Sequence, residues 1–523
     1  MMALLASYGI AQQPAAPVVG RASANQGMQY PLLEAKLEEA AALAQTGNWA
    51  QALAIYTPLV NTADDALRGQ TRFGLAVALS QLGREREALK ALEGTSADES
   101  ELGQAVGTLR GNLVLHLAEI SLMETGSSGT YLNDYDRLLQ KPNPLRAQRL
   151  RMLEEPVAGE SVLRVGVLLP LSGPLEGVGR EVMQGLQLAL TTTPPWRGAK
   201  VELIPADTTT GPEAALDSVV SQGAKLVVGP LLSKHVSDIA GRAQAANITL
   251  LALSSDADVA GASVHVVPPL PTEQASMVAT WAIATGKTTA AALVPSMPYG
   301  TDMLEAFRAT YERQGGRIIT TSPFNPQNVD LGASVRQLAG GQAISGTAPF
   351  EVLFMPIPAA TVPMASSQLA YYNFDRAGVQ VLGTGLWQDD ALLGPAARAL
   401  RGSVFAAPSR PTSFIQQFTD AFGKAPQGMA IQGYDVGRML VQLAAERQGT
   451  GREVALLLNR PEGFYGTGGY FKFQASGLTE RGMALVKIEE GAFHVLQPAL
   501  NLAPLPVPAN LRPSARKDWQ GWW

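Results

Sequence analysis

The sequence predicts an α-helical N-terminal domain followed by two α/β lobes in tandem, and three observations predict it. Residues 30–155 carry helical periodicity and almost no strand-like runs. From Val162 onward, short apolar strands alternate with amphipathic helices, the signature of a parallel sheet covered by helices. After "VHVVPPLPTE" (264–273) a second series of the same kind begins. The 523 residues exceed one ordinary domain, and 46% hydrophobic with 16% charged residues is enough to build real cores.

The opening "MMALLASYGIAQQPAAP" is apolar, then small, then polar, like the end of a secretory signal with cleavage near Ala11. It lacks a basic start, since the first basic residue is Arg21. Residues 1–25 are therefore a signal-like or disordered leader. No later apolar run approaches the roughly 20 residues a membrane span needs, so no transmembrane segment is expected.

In the helical part (26–157), "EEAAALAQTGNWAQALAIY" and "LAVALSQLGREREALKALE" align at a spacing of 36: Leu43 with Leu79, Gly47 with Gly83, Ala52 with Ala88, Leu53 with Leu89. Gly47 and Gly83 would turn the chain between helices, and Ala52 and Ala88 would let the helices approach closely. The pattern resembles tetratricopeptide (TPR) repeats, whose period is about 34. A generic helical bundle is the other reading. A TPR-like domain implies a docking surface for another protein.

"VLRVGVLLP" is a strand, "SGPLEGVG" a loop, and 180–190 a helix with Val182, Leu186 and Leu190 on one face. Strands "VELIPADT", "KLVVGPLLS" and "ITLLALSS" follow, separated by helices "GPEAALDSVVSQGA" and "KHVSDIAGRAQAAN". The second series runs strand 289–294, helix 302–314, strand 317–321, helix 330–339, strand 350–356, helix 363–372 and strand 379–385. Residues 503–523 read as a Pro-rich disordered tail. It ends "PSARKDWQGWW", where tryptophans beside Arg516 and Lys517 suit a membrane interface or a partner groove.

Several chemistries fail by named residues. A P-loop needs Lys and Ser or Thr after its last glycine, but Arg180 and Glu181 follow Gly179. The dinucleotide fingerprint needs a third glycine where Val182 stands. What remains is a loop at a strand's carboxyl end, where open α/β sheets bind ligands. His116, His235, His265 and His494 are scattered without metal-ligand spacing, and the absence of cysteine excludes disulfides and thiolate sites. "LSSDAD" groups Ser254, Ser255, Asp256 and Asp258 without a neighbouring base and reads as a helix cap. We expect no catalytic residues, no metal and no cofactor. The net charge of −5, with no basic stripe, argues against nucleic acid.

In order and spacing, "RVGVLLPLSGPLEGVGREVMQGLQLAL", "GAKLVVGPLLSKHVSDIAGRAQAANITLLALSS", "SMPYGTDMLEAFRATYERQGG" and "AIQGYDVGRMLVQL" resemble the type I periplasmic binding proteins of the leucine/isoleucine/valine-binding family. The resemblance implies a two-lobed flytrap over 158–502, with crossovers near 267–273, 401–407 and 455–470. Lobe 1 would comprise about 160–268 and 405–455, and lobe 2 about 272–402 and 458–500. It implies a ligand cleft lined by Ser172, Val178, Ser233, Ser255, Asp256, Asp258, Tyr299, Tyr434 and Asp435. Two positions depart from the family pattern: Val178 replaces an aromatic, and Asp258 stands where a threonine usually holds the ligand carboxylate. A helix N-terminus favours an anion by roughly 0.3–1 kcal/mol, whereas an ionised Asp about 4 Å from a carboxylate costs roughly 4 kcal/mol at an effective dielectric of about 20. The cleft is therefore expected not to hold a free α-amino acid in the usual way.

TPR-like helices ahead of this fold, with "YDVGRMLVQLA" and "GLTERGMALVKIEEGAFHVLQP", are similar to the penicillin-binding protein activator group. That resemblance implies a non-enzymatic periplasmic protein that stimulates a peptidoglycan synthase by contact. The group's lipid anchor uses a cysteine, which this sequence lacks. The alternative is the substrate-binding protein of an amino-acid ABC transporter, holding a small-molecule ligand.

Overall fold

The computed structural model describes residues 26–505, except 46–47, 63–64, 156–161, 328–330, 346, 375–377, 395–399, 447–455, 490 and 502. The leader, Gly47 and the Trp-rich end lie outside the described residues.

Among the described residues, four helices come first, as two antiparallel pairs: α1 (Gln26–Gln45) with α2 (Trp49–Thr62), and α3 (Asp65–Gln81) with α4 (Glu85–Ala91). Ala52 and Ala88 are both fully buried at the helix contacts, and Gly83 makes its turn at φ +70. Gly74 of α3 lies flat against the Tyr56 ring of α2, where a Cβ would overlap it. These contacts are what the repeat pattern required. Next comes α5 (Glu101–Thr125). Ser100 caps its first turn by accepting the Gly103 N–H at 3.0 Å, and Gly126 ends it in the left-handed region. Helices α6 (Tyr131–Asp136) and α7 (Pro144–Glu154) complete the helical part.

The first sheet is fully parallel, in the order β2-β1-β3-β4-β5: β1 (Val162–Leu169), β2 (Lys200–Asp207), β3 (Leu226–Val228), β4 (Thr249–Ala252) and β5 (Val264–Val266). Between them run α8 (Glu176–Thr192), α9 (Pro212–Ser221) and α10 (Ser233–Ala245). The second sheet has seven strands, in the order β14-β13-β10-β9-β8-β6-β7. Its parallel part is β6 (Thr289–Pro295), β7 (Arg317–Phe324), β8 (Val352–Phe354), β9 (Gln380–Thr384) and β10 (Val404–Ala407). Antiparallel β13 (Ala484–Glu489) and β14 (Ala492–Gln497) extend its edge. Helices α11 (Pro271–Ala284), α12 (Pro298–Arg313), α13 (Gly332–Leu338) and α14 (Val362–Tyr371) accompany it. The α12 helix starts earlier than the apolar pattern indicates because Pro298 presets the first helical turn.

After β10 the chain returns to the first lobe as α15 (Thr412–Phe422), α16 (Gly428–Glu446) and a small hairpin of β11 (Phe471–Phe473) and β12 (Thr479–Arg481). The crossings therefore fall at 267–271, 408–411 and 482–483. The expected second crossover, 401–407, is instead β10 paired with β9, because "VFAA" is a fully buried apolar run suited to a central strand. The expected third, 455–470, packs with the first lobe: Leu458, Phe464 and Tyr465 share its core. The tail also differs, since Ala503 and Leu505 are buried and the Gln81 side chain donates to the Leu505 carbonyl at 2.7 Å.

Helix α16 lies directly on α8. Gly185 abuts the Ala430 carbonyl, Gly433 the Val182 carbonyl and Gly437 the Ala189 side chain, so backbones touch where any Cβ would collide. Gly433→Val should therefore destabilise the protein by about 1–3 kcal/mol. Gly177→Ala, in open space near the start of α8, should be neutral or mildly stabilising. Urea unfolding of both variants checks this.

Candidate functional site

The first lobe presents its candidate residues after the carboxyl ends of its strands. Following β1, Ser172 donates its hydroxyl to Asp207 Oδ2 at 2.6 Å. Asp207 also accepts the Thr209 N–H at 2.9 Å and the Leu171 N–H at 3.0 Å, and these bonds hold its carboxyl well below the usual carboxylate range. That bond closes the loop, and the exposed Ser172 oxygen keeps its acceptor capacity. Gly179 is a packing requirement, because a Cβ there would strike the Pro170 carbonyl, and Val178 is half-buried on α8. After β3, Ser233 is the first residue of α10 and half-buried. After β4, Asp256 accepts the Asp258 N–H at 3.0 Å and caps a short 3-10 turn. Ser255, Asp256 and Asp258 are exposed.

In the second lobe Tyr299 sits in the first turn of α12, after β6. Its buried hydroxyl has no partner among the described residues; it faces Thr384 Oγ1, equally unpartnered, outside hydrogen-bond geometry. Burial pushes its pKa up.

Tyr434 and Asp435 are placed elsewhere. Tyr434 is buried against Phe414, with its hydroxyl 2.9 Å from Thr192 Oγ1. Asp435 is wholly buried. Its carboxylate accepts Arg481 Nη2 at 2.7 Å, the Thr467 N–H at 2.5 Å and the Gly468 N–H at 3.4 Å. Burial pushes the carboxyl up and the guanidinium down, and each opposes the other's shift. With these acceptors used, Asp435 anchors the 466–469 loop to the crossing segments.

The crossings carry a second charged group. Glu273 starts α11 beside Glu480 and Arg481 of β12. Burial, then the Glu480 charge, pushes its carboxyl up to about 7, with Arg481 opposing. Tyr470 donates its hydroxyl to Glu480 at 2.6 Å.

A larger cluster, not foreseen from the sequence, joins the helical part to the first lobe. Glu119 of α5, 1% exposed, binds Arg146 at 2.6 Å and Arg149 at 3.3 Å from α7, and Arg460 at 3.7 Å. Arg149 also pairs with Glu462, and Arg460 with Glu446 at 2.9 Å. Burial alone would raise the Glu119 carboxyl, but Arg146, Arg149 and Arg460 hold it well below the usual range. The signal in the sequence was one acid inside the apolar run "LVLHLAEISLM". Among the described residues, no group of His, Cys, Asp and Glu could hold a metal, and no helix is long and apolar enough to cross a membrane.

Two lobes of parallel sheet, crossed three times by the chain and carrying loops at the strands' carboxyl ends, define a type I binding-protein fold. Residues 162–492 match the family model described as periplasmic binding protein, and the chain belongs to that family. A branched-chain amino acid ABC transporter periplasmic ligand-binding protein from Burkholderia xenovorans LB400 superposes with TM-score 0.53 at 16% identity, covering 65% of this chain and 96% of its own. An ABC transporter substrate-binding protein from Sphaerobacter thermophilus gives TM-score 0.53 at 20% identity, covering 66% and 98%. These likenesses concern the fold. Penicillin-binding protein activator LpoA of Glaesserella parasuis serovar 5 (strain SH0165) is 30% identical over 155 residues, 29% of this chain. The match spans 26% of that protein, about a quarter of its length.

Two measurements test these assignments. Asp435→Ala leaves Arg481 buried and unpaired and should cost about 3–5 kcal/mol of stability in denaturant unfolding. Glu273 has a folded pKa above its unfolded one, so its contribution is present below about pH 4.3 and lost as pH rises through about 7. Across that window wild-type stability should fall relative to Glu273→Gln, as read by urea unfolding at several pH values.

Proposed function

We propose that this protein is a non-enzymatic periplasmic regulator that activates a peptidoglycan synthase, a penicillin-binding protein, by direct contact through its helical domain. The carrying observation is the fusion of the helices to the first lobe. Leu115, Ala118 and Leu122 of α5 and Leu150 of α7 share one apolar core with Val165, Val167 and Leu440, and the Glu119 cluster closes its edge. With α5 and α7 held in this way, α3 and α4 pack on α5 through their own apolar cluster, and α1–α4 form the proposed docking platform. The stretch shared with the penicillin-binding protein activator supports the choice of partner. The candidate cleft supports a binding role over an enzymatic one, because Ser172 is tied to Asp207 and Asp256 to its own turn.

The second reading, a substrate-binding protein of an ABC transporter, rests on Tyr299, whose unpartnered hydroxyl follows the carboxyl end of β6. Affinity capture from envelope extract with the full chain separates the two. Recovery of a penicillin-binding protein, and a severalfold faster synthase reaction on mixing the purified pair, is expected. Recovery of a permease without a synthase overturns the regulator. Calorimetric titration with leucine, isoleucine, valine and polar amino acids is expected to show no micromolar binding. Such binding would restore the transporter reading.

A further inference from the structure

Away from the candidate cleft, a cavity of about 500 Å3 opens where the helical domain, the first lobe and the crossing segments meet. Its size lies within the usual range for small-molecule sites. Its lining includes groups that both donate and accept: Thr193, Ser409, Ser413 and Thr467 supply hydroxyls, and Gln417 and Asn501 amides.

Arg438 of α16 supplies its positive charge. It donates only long bonds, to Thr467 Oγ1 and to the Met123 carbonyl, both at 3.3 Å, and its guanidinium stacks 4.6 Å from the Tyr465 ring centre. Its buried Nε has no partner, and no carboxylate lies within ion-pair distance of it among the described residues. Thr193, also buried on the lining, has an unpartnered hydroxyl. Beside Arg438, Glu124 accepts the Tyr465 hydroxyl at 2.8 Å and keeps acceptor capacity for a ligand hydroxyl.

We propose that this junction cavity binds a small sugar acid, its carboxylate on Arg438 and its ring hydroxyls on Ser413, Gln417 and Glu124. A guanidinium fork matches a carboxylate, and mixed donor–acceptor side chains match hydroxyls. A purely apolar ligand would leave the guanidinium and the hydroxyl lining unused, and a simple carboxylate would leave the hydroxyl lining unused. The proposal is independent of the regulatory reading above.

Calorimetric titration of the full chain with glucuronic acid, glucose and acetate tests it. Glucuronate should bind saturably, with glucose and acetate each about tenfold weaker or more. Arg438→Gln should weaken glucuronate about tenfold. Gln417→Ala should weaken it severalfold and, being on the exposed side of α15, should leave the melting temperature unchanged. Absence of saturable glucuronate binding up to about 10 mM, binding equally tight for glucose, or affinity unchanged in both variants overturns the proposal.

Discussion

The buried ion cluster around Glu119 is the constraint on which the arrangement of this molecule depends. Three carboxylates (Glu119, Glu446, Glu462) and three guanidiniums (Arg146, Arg149, Arg460) meet at the seam between helices and first lobe. Taking any one of these charges out of water alone would cost several kcal/mol. The set is tolerable only while its members stay together, so α5, α7 and α16 must keep one relative geometry. Mutual attraction among them is less a source of stability than a specification of how the two parts fit.

That geometry recasts the domain plan. In sequence the helices and the α/β region look like consecutive units, yet apolar residues of α5, α6 and α7 join the first lobe's core, while α1–α4 keep clusters of their own. The second half of the helical part and the first lobe thus share one core. The second lobe meets the rest of the chain through the three crossings and through smaller contacts: the Gln51 side-chain amide donates to the Ala284 carbonyl, and the segment after β14 places Leu500 on Tyr470 and Leu505 on the helices. At the crossings sit the buried pair Asp435 with Arg481 and the half-buried Glu273 with Glu480, so the segments between lobes carry charges of their own.

The loops that resemble an amino-acid pocket have been put to internal use. Ser172 closes its own loop, Asp256 caps its own turn and Asp435 anchors a glycine-rich segment. What distinguishes this chain from the solute-binding proteins it superposes on is the helical domain and the polar junction beneath it.

The sequence by itself determined the order and type of the elements, because hydrophobic period is a local property. Strands from β6 to β9 lie close to where alternation and turn residues placed them, and Ala52, Ala88 and Gly83 perform the packing and turning their spacing implied. The roles of "YD" and "VFAA" were not legible. Whether Asp435 faces a ligand depends on Arg481, 46 residues away, and whether 404–407 crosses or pairs depends on a strand at 484. The same holds for the Glu119 cluster and the junction cavity, which assemble side chains from segments more than 300 residues apart. Those partners are chosen by long-range burial of charge and by backbone contact through glycine, which no local pattern encodes. Only the tertiary structure decided where the charges met.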